Sequence, residues 1–78
     1  MAFTVVADSR SGRTYCAGIL SRTHAENVLI DLAEDAQEQG FDVQYEYCAE
    51  SPIAAYAHIG GLSHIRYRLL PVADFSLN

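Results

Sequence analysis

Ala25, Val28, Leu29, Leu32, Ala33 and Ala36 recur at the spacing of one apolar stripe along an α-helix. A helix with one apolar face does not hold that face against water by itself, so the rest of the chain must cover it. The rest is short. A chain of 78 residues buries only roughly 60% of the surface it exposes when unfolded, which leaves room for one domain and excludes a large enclosed pocket.

The segments flanking the stripe alternate with the period of strands. Phe3, Val5 and Ala7 alternate with Thr4, Val6 and Asp8, as in a half-buried strand. Ser9-Arg10-Ser11-Gly12 breaks the pattern and Thr14 to Leu20 resumes it, which predicts a β-hairpin. Ser21 or Thr23 caps the helix, and Thr23 with Glu26 matches the spacing of a capping box. Gly40 stops it. Phe41, Val43, Tyr45 and Tyr47 then alternate with Asp42, Gln44 and Glu46 in the clearest strand of the chain. Residues 52–59 read equally as a short helix opened by Ser51-Pro52 or as a strand, because Tyr56 and Ile59 fit neither period. Ile65, Tyr67 and Leu69 alternate with Arg66 and Arg68 in a last strand that Pro71 ends. The tail, Asp74 to Asn78, is expected to be loosely held. The prediction is a single small α+β domain over residues 1–78: a mostly antiparallel sheet of four to five strands with one long amphipathic helix on one face.

Charge is distributed unevenly. The net charge is −5, and its parts differ in sign. Residues 1–25 carry three arginines against Asp8, and residues 51–78 carry Arg66 and Arg68 against Asp74. Between them lie Glu26, Asp31, Glu34, Asp35, Glu38, Asp42, Glu46 and Glu50 without a single base, and lysine is absent throughout. Such a block repels nucleic acid and anionic membrane and attracts basic surfaces. Asp31, Glu34, Asp35 and Glu38 stand three and four residues apart, so they form one ridge opposite the apolar stripe. Each like-charge neighbour pair costs the helix about 0.2 to 0.5 kcal/mol, and acids in the last turn oppose the helix dipole. Solubility alone would be served as well by mixed charges. The ridge is therefore read as a partner-binding surface, with Ile30 exposed beside it between Asn27 and Glu34.

Other chemistry finds little support. His24, His58, His64, Cys16 and Cys48 lack the close spacing of a zinc site, and nothing near Cys48 activates a thiol. The two cysteines read as reduced, buried thiols. Gly60-Gly61 lacks the flanking residues of a phosphate loop and reads as a turn. Alternation puts Tyr67 on the opposite face from Arg66 and Arg68, so these three do not make one base-stacking platform. If their strand lay beside the Asp42–Glu46 strand, the arginines would pair across it with those acids. No catalytic residue, metal or cofactor is expected, and an enzyme is not. The N-terminus has no basic segment leading into an apolar one, and no apolar run reaches the length of a membrane span, so the cytoplasm is the expected location.

In its size, its sheet-and-helix layout and the acid-only run Asp31, Glu34, Asp35, Glu38, Asp42 and Glu46, the chain resembles the small phage anti-CRISPR proteins that inhibit type I surveillance complexes. The likeness covers the whole chain as architecture and rests on no shared motif. It implies a non-enzymatic inhibitor that acts as a DNA mimic in the host cytoplasm. Docked on the basic surface of a larger protein or ribonucleoprotein, a Cascade-type complex, it would block target DNA without touching nucleic acid or membrane. The arginines of the first hairpin, Arg10 and Arg13, fit such mimicry poorly. Two alternatives stand beside it. One is a ferredoxin-like regulatory or small-ligand-binding module using Gly60-Gly61, and the other a nucleic-acid binder using Arg10, Arg13, Arg66 and Arg68, against which the net charge weighs.

Overall fold

The computed structural model describes residues 2–59 and 63–72. Its elements are β1 (Phe3–Ser9), β2 (Gly12–Tyr15), α1 (Arg22–Glu38), β3 (Asp42–Cys48), β4 (Ser51–Ile59) and β5 (Ser63–Pro71). The strands form one antiparallel sheet in the order β2-β1-β5-β4-β3. The helix lies across one face, giving the small α+β fold expected from the stripe and its alternating flanks. The ferredoxin-like layout needs two helices in the order βαββαβ, whereas the order among the described residues is ββαβββ with one helix.

Local chemistry fixes both ends of α1. Ser21 is the N-cap, its hydroxyl accepting from the His24 N–H at 3.3 Å. The expected Thr23–Glu26 capping box does not form: the helix begins at Arg22, one residue before Thr23, and the Glu26 carboxylate pairs with Arg22 at 3.1 Å. At the other end Phe41 N–H donates to Ala36 C=O and Gly40 N–H to Gln37 C=O, both at 3.0 Å. This double reversal requires a left-handed residue, which Gly40 supplies with φ 99°.

The second strand is shorter than the alternation predicts. Cys16 N–H still bonds to Val5 C=O at 2.8 Å, but beyond it the buried Thr4 hydroxyl donates to Ala17 C=O at 2.7 Å and the chain swings away from β1. It rejoins at Leu20, which exchanges two 2.8 Å bonds with Phe3. The segment open to either reading is the strand β4. The last strand does not lie beside β3: β5 runs between β1 and β4, so Arg68 faces Val6 and Ala54 rather than the acids of β3.

The core is the layer between helix and sheet. Ala25, Leu29 and Ala33 meet Val5 and Ala55, with Phe3, Leu20, Val28, Leu32, Val43, Tyr45, Tyr67 and Leu69 packed around them. By alternation, Val6, Asp8, Arg66, Arg68, Tyr56, Asp42, Gln44 and Glu46 point to the other face, over which no element lies among the described residues. Cys16 and Cys48 are both free thiols. Cys16 packs at the core margin, but Cys48 is exposed, not buried, because it closes the tight β3–β4 connection. Gly60-Gly61, the tail 74–78 and the His64 side chain lie outside the described residues.

Candidate functional site

Asp31, Glu34, Asp35 and Glu38 are all exposed, on the side of α1 turned away from the sheet. With Gln37 they border a shallow depression of about 550 Å³. The last turn of the helix carries no basic residue. The ion pairs of Arg13, Arg22 and Arg68 go to Asp8 and Glu26, and none goes to the ridge. Its polar contact is neutral: Gln39 Nε2 donates to Asp35 Oδ2 at 3.0 Å. The charge nevertheless reaches inward, since Glu34 adds to burial in pushing the Tyr45 hydroxyl pKa up, and Asp35 adds to burial at Tyr67.

Ile30 is half-buried rather than exposed. Its neighbour Leu29 is fully buried and Glu26, on the same flank, is half-buried as well, because the helix rests on a sheet wider than itself. The ridge is therefore charged without an apolar centre. Nor does one surface gather all the predicted acids. Asp42 and Glu46 lie on the far face of the sheet, at its β3 edge, while the ridge crowns the helix.

The open sheet face carries a different arrangement that sequence reasoning missed. Asp8 is its hub. Arg13 Nε donates to Asp8 Oδ1 at 2.7 Å and Arg13 Nη2 to Oδ2 at 3.4 Å. The buried Arg68 Nε lies 3.4 Å from Oδ2, a charge contact without hydrogen-bond alignment. The Arg13 hydrogen bond holds the Asp8 carboxyl below its ordinary 3.8, against partial burial, with the charges of Arg13, Arg68 and Arg66 adding to the effect. Tyr56 Oη donates to Glu46 Oε1 at 2.6 Å, and the Arg66 guanidinium sits 5.4 Å from the Tyr56 ring centre. That bond to Glu46 is the main reason the Tyr56 hydroxyl pKa is raised. Beside it, Asp8, Ser9, Arg10, Tyr56, Ala57, Ile65 and Arg66 line a hollow of about 320 Å³.

Tyr67 does stand on the face opposite Arg66 and Arg68. The aromatics that share the arginine face are instead Tyr15 and Tyr56, opposite Val6 and Arg66 respectively. Their alternation with Thr14 and with Ala55 and Ala57 was the available signal. Among the described residues no three His, Cys, Asp or Glu side chains group as metal ligands, and no helix is long and apolar enough to cross a membrane. Comparison with protein-family models, with curated proteins and with solved structures returns no match.

Proposed function

We propose that this is a non-enzymatic interaction protein whose acidic helix face occupies a basic, nucleic-acid-binding surface of a larger protein or ribonucleoprotein. One observation carries the reading. Asp8 pairs with Arg13 and Arg68 and Glu26 with Arg22, whereas among the described residues no arginine pairs with the four ridge carboxylates, which are exposed together and of which Asp35 accepts from the neutral Gln39. Repulsion within the ridge works against the helix, and the benefit lies in the field it projects. The resemblance to inhibitors of type I surveillance complexes names a partner class with such a surface. There, occupancy of the basic groove would exclude target DNA by competition for the same cations.

The experiment is a gel-shift assay of a purified Cascade-type complex on its target DNA, with the wild-type protein and the Glu34→Gln/Glu38→Gln variant as inhibitors. Three of the four like-charge pairs disappear in the variant, so the helix should gain roughly 0.2 to 0.5 kcal/mol for each. Its melting temperature should rise while inhibition weakens, chiefly through slower and less salt-sensitive association. Inhibition unchanged beside a raised melting temperature would reduce the ridge to a solvated face. No inhibition by the wild-type protein would remove this partner class.

A further inference from the structure

The two edges of the sheet are not equivalent. The β2 edge is four residues long and ends where the chain swings away after Tyr15. The β3 edge is seven residues long and, among the described residues, nothing pairs with its outer side. An exposed strand of that length presents backbone donors and acceptors ready to take up another strand, and proteins usually guard it with lysine, proline or distortion. Here the register shifts between Glu46 and Tyr47, and β3 contains no lysine or proline. Its guards are Asp42 and Glu46, on the open face.

Those acids act selectively. If two copies paired through β3 antiparallel about Gln44, Asp42 of each would stand opposite Glu46 of the other. If they paired about Tyr45, the same acids would meet diagonally. Like charges at either position oppose pairing, so the edge repels a second copy of this chain. A strand with cations at alternate positions meets the same carboxylates as partners. On the helix side the edge offers Val43, Tyr45 and Tyr47, the two tyrosine rings 6.1 Å apart and Tyr47 58% exposed. Apolar residues between the cations would pack along that row. Glu34, whose charge is felt at Tyr45, adds to the negative field on the same side.

We infer that the β3 edge binds, by strand addition, an extended segment of a partner protein in which lysine or arginine alternates with apolar residues. The inference shares with the proposed function a basic partner but not the surface, so the two fail separately.

The test uses the full chain, isotopically labelled, and two amidated peptides as long as β3. One alternates lysine with valine; the other has the same composition with its lysines in one block. The alternating peptide should shift the amides of residues 42–48 and slow their hydrogen exchange, and should bind about tenfold tighter than the blocked one. Asp42→Lys/Glu46→Lys should abolish binding. Should that variant fail to fold, Asp42→Asn/Glu46→Gln, which keeps an acceptor for Tyr56, should weaken binding severalfold. Glu34→Gln/Glu38→Gln should leave the pattern of protected amides unchanged. Equal binding of the two peptides, shifts confined to α1, no binding, or a wild-type dimer protected at β3 would each overturn the inference.

Discussion

Val5 and Val6 are adjacent in β1 and both are closed to solvent, yet they are buried by different means. Val5 lies under α1 with Leu29, Ala25 and Ala33. Val6 lies on the face over which no element lies among the described residues, with Tyr15 opposite it on one side and Arg68 on the other. The Arg68 Nε is itself buried and lies 3.4 Å from Asp8 Oδ2, and the stem of such a side chain can cover apolar surface while its head stays charged. The helix-covered face is held by apolar burial, which is indifferent to charge. On the open face Arg13 and Arg68 both lie against the Asp8 carboxylate, so the stability of that face is expected to depend on charge. Among the described residues, the other sheet face carries long polar side chains, Arg13, Arg66, Arg68 and Tyr56, in place of a helix, and the ion pairs of Arg13 and Arg68 give that face a sensitivity to charge that apolar packing lacks.

The largest effect expected of this contrast is at Leu29. Leu29→Ala removes the largest fully buried side chain among the described residues and should cost about 2 to 5 kcal/mol. Since 1 kcal/mol shifts the melting temperature by roughly 4 to 8 °C in a domain of this size, thermal denaturation reads it directly, and the loss should be the same at low and high salt. A loss smaller than that at Val6 would reverse the ranking of the two faces. Val6→Ala removes two buried methyl groups and should cost about 1.5 kcal/mol. If the Arg68 stem is its cover, Arg68→Ala should expose Val6 and lower stability more than Arg68→Met, which keeps an apolar stem. Equal losses in the two Arg68 variants would assign the cover to charge instead.

Sequence patterns exposed the parts of this fold that rest on local periodicity. The α1 stripe and the alternation of β3 each repeat within one element, and both elements stand where their patterns place them. β4 was ambiguous for a physical reason. The helix lies chiefly over β4, and its alanines at 25, 33 and 36 approach a strand that carries Ala55 and Ala57 on the covered face. Such close approach requires small side chains, and alanine leaves no strand signature. The early end of β2 was hidden because the Thr4 hydroxyl, thirteen residues away, takes the Ala17 carbonyl. The acidic ridge was legible because its residues share one helix. Sequence proximity places Asp42 and Glu46 in the same acidic run, but the turn at Gly40 and Phe41 sends them to the far side of the sheet. The Asp8 hub could not be read, because it joins β1, β2 and β5 and needs the strand order.

The smallest effect expected is at Asp8, and it separates the faces by pH rather than by size. The Arg13 hydrogen bond, with the charges of Arg13, Arg68 and Arg66, outweighs partial burial and holds the carboxyl below its ordinary 3.8. The folded value is thus lower than the unfolded one. The ionised group therefore contributes its full stability above the unfolded value, and that contribution disappears as pH falls through the depressed folded value. Asp8→Asn keeps the size of the side chain and removes the charge, so at neutral pH it should lower the melting temperature by less than either valine or leucine truncation. The gap from wild type should narrow as pH drops below 3.8 and shrink with added salt, because the pairs are partly exposed. Leu29→Ala, measured over the same pH series, should keep a constant gap. A pH-independent gap for Asp8→Asn would mean that the open face is held by packing alone, and the contrast between the two sides of β1 would then be one of degree.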